Sequence, residues 1–184
     1  MKTIDPGRSA LVLVDYQAKL MPAIDRGSQV VAEAVRLADA ARELCIPVIG
    51  TEQNPRGLGP NVEAIRVRCR ETLAKNHFDG CRDGLVDAVR RAVDKPLDVV
   101  VAGCEAHVCL MQSALGLMRA GFAVWVAANA CGSRSPTDHE LAMKRLSQAG
   151  ATLVSTEMVI FEWLQTCDHA RFKAVLQLLK VPIA

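Results

Sequence analysis

Short apolar runs recur along this chain, and helix-patterned stretches separate them from one end to the other. That alternation leaves few folds open. Ser9–Val14 (SALVLV) reads as a short buried strand ending at Asp15. Ser28–Leu44 carries Val31, Val35, Ala38 and Leu44 at the spacing of a helix with one buried stripe, with Ser28 as its N-cap. Ile46–Thr51 is a second strand, with Pro47 near its start, where a missing N–H is tolerated. Asn54–Asn61 (NPRGLGPN) is turn-rich and predicts no regular structure. Thr72–Lys75 reads as a short strand, Asp83–Val93 as a helix and Leu97–Ala102 as the strongest strand. A helix over Cys109–Ala120, a strand over Phe122–Ala128 and a helix over Asp138–Ala149 follow, with Gly121 and Gly150 as helix stops. Ala151–Ser155 is a last strand, before helices at Glu157–Leu164 and His169–Leu179.

Strands alternating with helices predict an α/β, Rossmann-like three-layer sandwich. Its six-stranded sheet is mostly parallel, with right-handed crossovers and helices on both faces. The 184 residues fit a single domain spanning 1–184. A net charge of +2 with scattered signs gives no reason to expect nucleic acid or a membrane surface as partner. No apolar run approaches the ~20 residues of a membrane span. Met1–Arg8 has no apolar h-region, and seven cysteines lack paired short spacing, so the expectation is a cytoplasmic protein with reduced thiols. Val159, Ile160, Phe161, Trp163 and Leu164 exceed what one small domain needs inside, which predicts a homo-oligomer.

Ligands of such sheets bind beyond the carboxyl ends of the strands, where strand order reverses. Asp15, Thr51–Asn54, Lys75 and Gly103–Cys109 all fall at such ends. A dinucleotide site is not supported, because Gly57-Leu58-Gly59 runs into Pro60 with no third glycine. No CxxC or HExxH is present, so neither a metal nor another cofactor is expected, and a small molecule is the expected partner. Cys45, Cys69, Cys81, Cys131 and Cys167 read as small half-buried hydrophobes, and Cys104 stays open between core and turn. Cys109 opens a helix, where unpaired N–H groups and partial positive charge favour a thiolate. Asp15 alone is equally a turn former, and Lys75 alone a solvated lysine. Together at three strand ends they offer Cys109 a proton acceptor and a positive charge.

Five segments stand at strand ends in order: ALVLVDYQ (Ala10–Gln17), TEQNPRGLGP (Thr51–Pro60), LAKNHFDG (Leu73–Gly80), AGCEAHVCLMQSAL (Ala102–Leu115) and AANACGSRS (Ala127–Ser135). Through them the chain resembles the isochorismatase-like cysteine hydrolase superfamily over Ser9 to Leu179. TEQNPRGLGP looks most like the small isochorismatase domain-containing proteins. The resemblance implies an Asp15, Lys75, Cys109 triad and a non-proline cis peptide at Cys104–Glu105. It further implies an oxyanion hole from the backbone N–H groups of Glu105 and Cys109. Gln17, Gln53 and Phe78 lie beside the motifs as expected pocket lining. TEQNPRGLGP lacks the histidines that bind metal in nicotinamidases of this superfamily. Cys109 points away from vinyl ether cleavage, since isochorismatases proper lack the nucleophile. The expected activity is hydrolysis of a C–N bond in a small amide through a thioester on Cys109. A non-catalytic or redox-responsive binding protein that keeps the fold is the alternative, and a metal-assisted amidase a second one.

Overall fold

The structure is a computed structural model that describes residues 3–95 and 97–183. Met1, Lys2, Pro96 and Ala184, which the single-domain reading includes, lie outside the described residues. Six strands form one sheet: β1 (Ser9–Val14), β2 (Val48–Gln53), β3 (Glu71–Lys75), β4 (Asp98–Gly103), β5 (Ala123–Ala127) and β6 (Thr152–Val154). Their order is β3-β2-β1-β4-β5-β6, and every pairing is parallel. The helices are α1 (Gly27–Glu43), α2 (Pro55–Leu58), α3 (Glu63–Arg66), α4 (Leu85–Ala92), α5 (Met111–Arg119), α6 (Pro136–Gln148), α7 (Thr156–Leu164) and α8 (Phe172–Lys180).

Helix α1 packs against α3, α7 and α8, while α5 packs against α6 and the turn before α4. Two helical layers thus enclose the sheet. Every residue of β1 and β4 is buried, because central parallel strands meet helices on both faces. The alanines of α1 (Ala34, Ala38, Ala40 and Ala41 all buried) permit close helix–sheet approach. Trp125 and Trp163 are buried with their indole N–H groups satisfied, by Asp98 Oδ1 at 2.9 Å and Ser9 Oγ at 3.1 Å. No helix of the described residues is long and apolar enough to cross a membrane.

Several local expectations change. Strand β2 begins at Val48 and runs on to Gln53, because Thr51, Glu52 and Gln53 find partners in Leu73, Ala74 and Lys75 of β3. Helix α1 starts at Gly27 after Arg26, whose φ is +49°, so Ser28 lies inside the first turn and is not the cap. Asn54–Asn61 contains one helical turn, α2, seeded by Pro55 at its first position. Gly84, at φ +99°, divides the expected helix over Asp83–Val93 into a tight turn at Gly80–Asp83 and α4. The apolar excess near the C-terminus is mostly consumed within the chain. Val159, Ile160, Trp163 and Leu164 are buried, and only Phe161 of that set is exposed.

The sheet order reverses between β1 and β4, and both strands end there, with Val14 beside Gly103. Gly103 has φ +152°. A Cβ on it would strike the Val14 carbonyl oxygen and lie 2.6 Å from the Val14 Cβ. Gly103 therefore lets β4 stay flush with β1 at the point where the chain turns toward Cys109. Gly103→Ala should cost about 3 kcal/mol of stability, read as a lower urea midpoint. An unchanged midpoint would show that this close approach constrains nothing.

Candidate active site

Four strand ends converge at this reversal. Asp15 follows β1 with φ +55°, a left-handed conformation that aspartate tolerates better than most residues. Its N–H still bonds the Thr51 carbonyl at 3.2 Å, so the residue turns out of the strand without leaving the sheet edge. The Asp15 carboxylate is fully buried. Thr51 Oγ1 donates to its Oδ1 at 2.7 Å, and Lys75 Nζ lies 2.7 Å from its Oδ2. Lys75 ends β3 and is 2% exposed. Its ammonium also donates to Gln53 Oε1 at 2.7 Å and the His77 carbonyl at 3.4 Å. Two hydrogen bonds and the close Asp15 ion pair surround the buried Nζ, although the geometry toward Asp15 Oδ2 is that of an ion pair and not of a hydrogen bond.

Cys109 arrives from β4. The peptide bond between Cys104 and Glu105 is cis. A π-turn over Ala106–Leu110 follows and leads into α5. The Glu105 carbonyl accepts the N–H groups of Val108 and Leu110 and passes over that of Cys109. Cys109 Sγ lies 3.9 Å from Gln53 Oε1, and the residue is 6% exposed. The segment after β5 holds this turn in place. Ala106 N–H bonds the Gly132 carbonyl at 2.7 Å, His107 Nδ1 lies 2.9 Å from Ser133 Oγ, and Glu105 Oε2 accepts the N–H and Nε of Arg134, each at 3.0 Å. From the other side, Ser113 of α5 bonds Gly80 N–H at 3.0 Å and the Phe78 carbonyl at 3.3 Å, tying the helix after Cys109 to the loop after Lys75.

The structure therefore brings Asp15, Lys75 and Cys109 together. Gln53 joins them directly. Gln17 is fully buried and spends its side chain on backbone: it accepts Gln53 N–H and donates to the carbonyls of Gln53 and Gly59. Phe78 is 51% exposed, on the loop beyond Lys75. Sequence reasoning missed Thr51 as a partner of Asp15, and Ser133 and Arg134 as supports for the nucleophile turn. Thr51 opens TEQNPRGLGP and Ser133 and Arg134 lie in AANACGSRS, but neither segment says which side chain each would meet, and only the fold brings them near. Of the remaining cysteines, Cys69 and Cys81 are half-buried and Cys104 and Cys131 buried, whereas Cys45 and Cys167 are exposed, against expectation. All seven are unpaired.

Other influences on the Cys109 thiol oppose that of the helix start. Burial pushes the thiol up to about 12, the adjacent Asp15 charge and its hydrogen bond add to the rise, and the Lys75 charge opposes them. A thiol raised this far keeps its proton at neutral pH. Among the described residues no group of three or more His, Cys, Asp or Glu side chains is placed to hold a metal ion. A cavity of about 570 Å³ opens between the starts of α1 and α6, lined in part by Arg26, Glu33, Asn129 and His139, and contains none of the triad. The catalytic candidates lie apart from it, in a closed polar cluster.

Comparison with known proteins places this geometry. Residues 9–158 match the isochorismatase domain family model. Isochorismatase domain-containing protein 2 from Danio rerio is 37% identical over 174 residues, covering 95% of this chain and 88% of the relative. The structure of MAR1 ribonuclease from Caenorhabditis elegans is 35% identical and superposes with a TM-score of 0.92, covering 100% of this chain and 95% of that one. The YcaC gene product of Escherichia coli, an octameric hydrolase of unknown specificity, is 25% identical with a TM-score of 0.90, covering 97% and 90%.

Two outcomes follow from the electrostatics. Asp15→Asn removes the charge that raises the thiol and keeps Lys75, so thiolate ultraviolet absorbance should appear at lower pH than in the wild type. Lys75→Met should move it higher, and coincident titrations would refute the assignment. The second concerns stability. Burial raises Cys69 to about 11 and Cys81, Cys109 and Cys131 to about 12, from an ordinary 9.0. The folded chain holds these protons where the unfolded chain releases them, so their contribution is intact below pH 9.0 and is lost as pH rises toward 12. Melting temperature should fall across that window, and a flat profile would contradict it.

Proposed function

Because this chain belongs to the isochorismatase family, we propose that it is a cysteine hydrolase that cleaves the C–N bond of a small amide. The observation that carries the reading is the buried Asp15–Lys75 ion pair, 2.7 Å apart, beside the Cys109 thiol. Asp15 accepts the thiol proton as Sγ attacks the carbonyl carbon, and the C=O π electrons move onto oxygen. The backbone N–H groups of Glu105 and Cys109 hold that oxyanion. Removing one such donor costs other enzymes roughly 100-fold or more in rate. Collapse breaks the C–N bond, and the proton on Asp15 goes to the leaving amine. Water then attacks the thioester as Asp15 takes its proton. The C–S bond breaks, the acid leaves, and the proton returns to sulfur. Lys75 supplies positive charge beside each anion and donates no proton.

The closed site favours a small, unhindered carbonyl, since Cys109 is 6% exposed and Asp15 not at all. RNA is the rival substrate suggested by the name of the Caenorhabditis elegans relative. A triad this enclosed suits a small carbonyl better than a phosphodiester in a polymer, and a net charge of +2 offers little attraction for one. Seven unpaired cysteines support a reducing, cytoplasmic setting. The octameric Escherichia coli relative supports assembly of this chain with its own copies.

A screen of small amides and ureides with intact-mass detection tests the reading. Wild-type protein should release amine and accumulate an acyl adduct on Cys109, and Cys109→Ala should lose at least about 1,000-fold of turnover with an unchanged melt. Turnover that survives Cys109→Ala would overturn the mechanism. Hydrolysis of RNA and not of amides would overturn the substrate class. Bound zinc or iron needed for activity would favour the metal-assisted alternative, and a Cys109 inert to every substrate and electrophile the non-catalytic one.

A further inference from the structure

Gln53 was expected to line the pocket, yet its side chain is turned toward the triad. Its Oε1 accepts the Lys75 ammonium at 2.7 Å and faces Cys109 Sγ at 3.9 Å. Its Nε2 donates to the Asn76 carbonyl at 2.8 Å, which fixes the amide. A flipped amide would set N–H against ammonium and oxygen against a carbonyl. The backbone is held as firmly. Gln17 Oε1 accepts Gln53 N–H at 2.9 Å and Gln17 Nε2 donates to the Gln53 carbonyl at 3.0 Å, so one side chain pairs with Gln53 as a neighbouring strand would. On its other side Gln53 pairs in register with Lys75.

We propose that Gln53 is the positioning residue of the triad, a neutral acceptor that holds the Lys75 ammonium in place while Asp15 changes charge. The proposal rests on the cysteine-hydrolase reading above. In the resting site Lys75 is held by a carboxylate, an amide oxygen and a peptide oxygen. Once Asp15 takes the thiol proton, its hold falls from an ion pair to a neutral hydrogen bond. The Gln53 contact is the same before and after. The ammonium therefore stays put, and its field falls on the new thiolate instead of the neutralised carboxyl. A carboxylate at this position would pair with Lys75 permanently and spend that field. The charged and titratable groups near Cys109 fit this assignment. Asp15 and Lys75 face the thiol, Glu105 is turned to Arg134, and His107 to Ser133.

Acrylamide tests this without a substrate. The thiolate adds to its β-carbon, a C–S bond forms as the C=C π bond breaks, and the α-carbon takes a proton from water. Peptide mass spectrometry reads the rate at each cysteine, and the exposed Cys45 and Cys167 serve as internal standards. Gln53→Glu keeps the shape and adds a charge. It should slow addition at Cys109 by about tenfold at mildly alkaline pH, a rise of one unit in the thiol titration, and leave the two standards unchanged. Gln53→Met removes the acceptor and should slow it by about threefold. It carries the test alone if Gln53→Glu fails to melt cooperatively. Rates at Cys109 within about twofold of wild type in a folded variant, or equal changes at the standards, would overturn the proposal. Absence of amide turnover alongside a Gln53-dependent thiol would sink the hydrolase reading instead, so the two failures are distinguishable.

Discussion

A pair of opposite charges buried at the carboxyl end of a parallel sheet is the constraint around which the rest of this structure is arranged. Neither Asp15 nor Lys75 could sit at 0% and 2% exposure alone. Desolvating a lone carboxylate or ammonium costs several kcal/mol or more, and it would lose its charge instead. Their attraction offsets part of that cost. The remainder is met by Thr51, Gln53 and the His77 carbonyl, each supplied by the end of a strand or the loop after it. Parallel topology makes this possible, because all strand ends of one polarity lie on one edge. Replacing the pair with apolar side chains of similar size could well stabilise such a fold. Its presence at the switch point is therefore better explained by chemistry than by stability.

The supports differ in what anchors them. Asp15 and Gln53 are set by the sheet itself. Lys75 is set by β3 at the sheet edge, and the loop after it is fastened to α5 through Ser113. Cys109 stands furthest from the sheet, on a turn that takes its contacts from the segment after β5. The nucleophile must approach and leave a carbonyl carbon, whereas the base and the ammonium need only stay where they are.

Much of this was readable from residues. The period of apolar runs announced an α/β sheet, and the polar residues that close three of those runs (Asp15, Lys75 and the turn to Cys109) are the ones the sheet collects. Boundaries were less legible for a physical reason. Thr51–Gln53 has no apolar alternation, and it is strand because β3 supplies partners. The start of α1 departs from the Ser28 cap because the chain enters the helix through Arg26, whose left-handed backbone no residue pattern signals. The surplus of apolar residues in α7 looked like an interface, but α1 covers most of it. Thr51, Ser133 and Arg134 lie within recognisable segments, but their partners Asp15, His107 and Glu105 are far off in sequence, so their roles are legible only once the fold is known.

The largest revision concerns the thiol. A cysteine at a helix start beside a lysine suggests a standing thiolate, yet desolvation and the Asp15 charge raise the thiol by more than Lys75 lowers it. A buried thiolate would itself be a second uncompensated anion next to Asp15, with one ammonium between them. Keeping the proton on sulfur until a carbonyl arrives removes that conflict, since the site then carries one anion at every stage: first carboxylate, then oxyanion, then carboxylate again. A single lysine balances that charge throughout, provided it does not move when the anion does. The neutral oxygen of Gln53 satisfies that condition, which a second carboxylate could not.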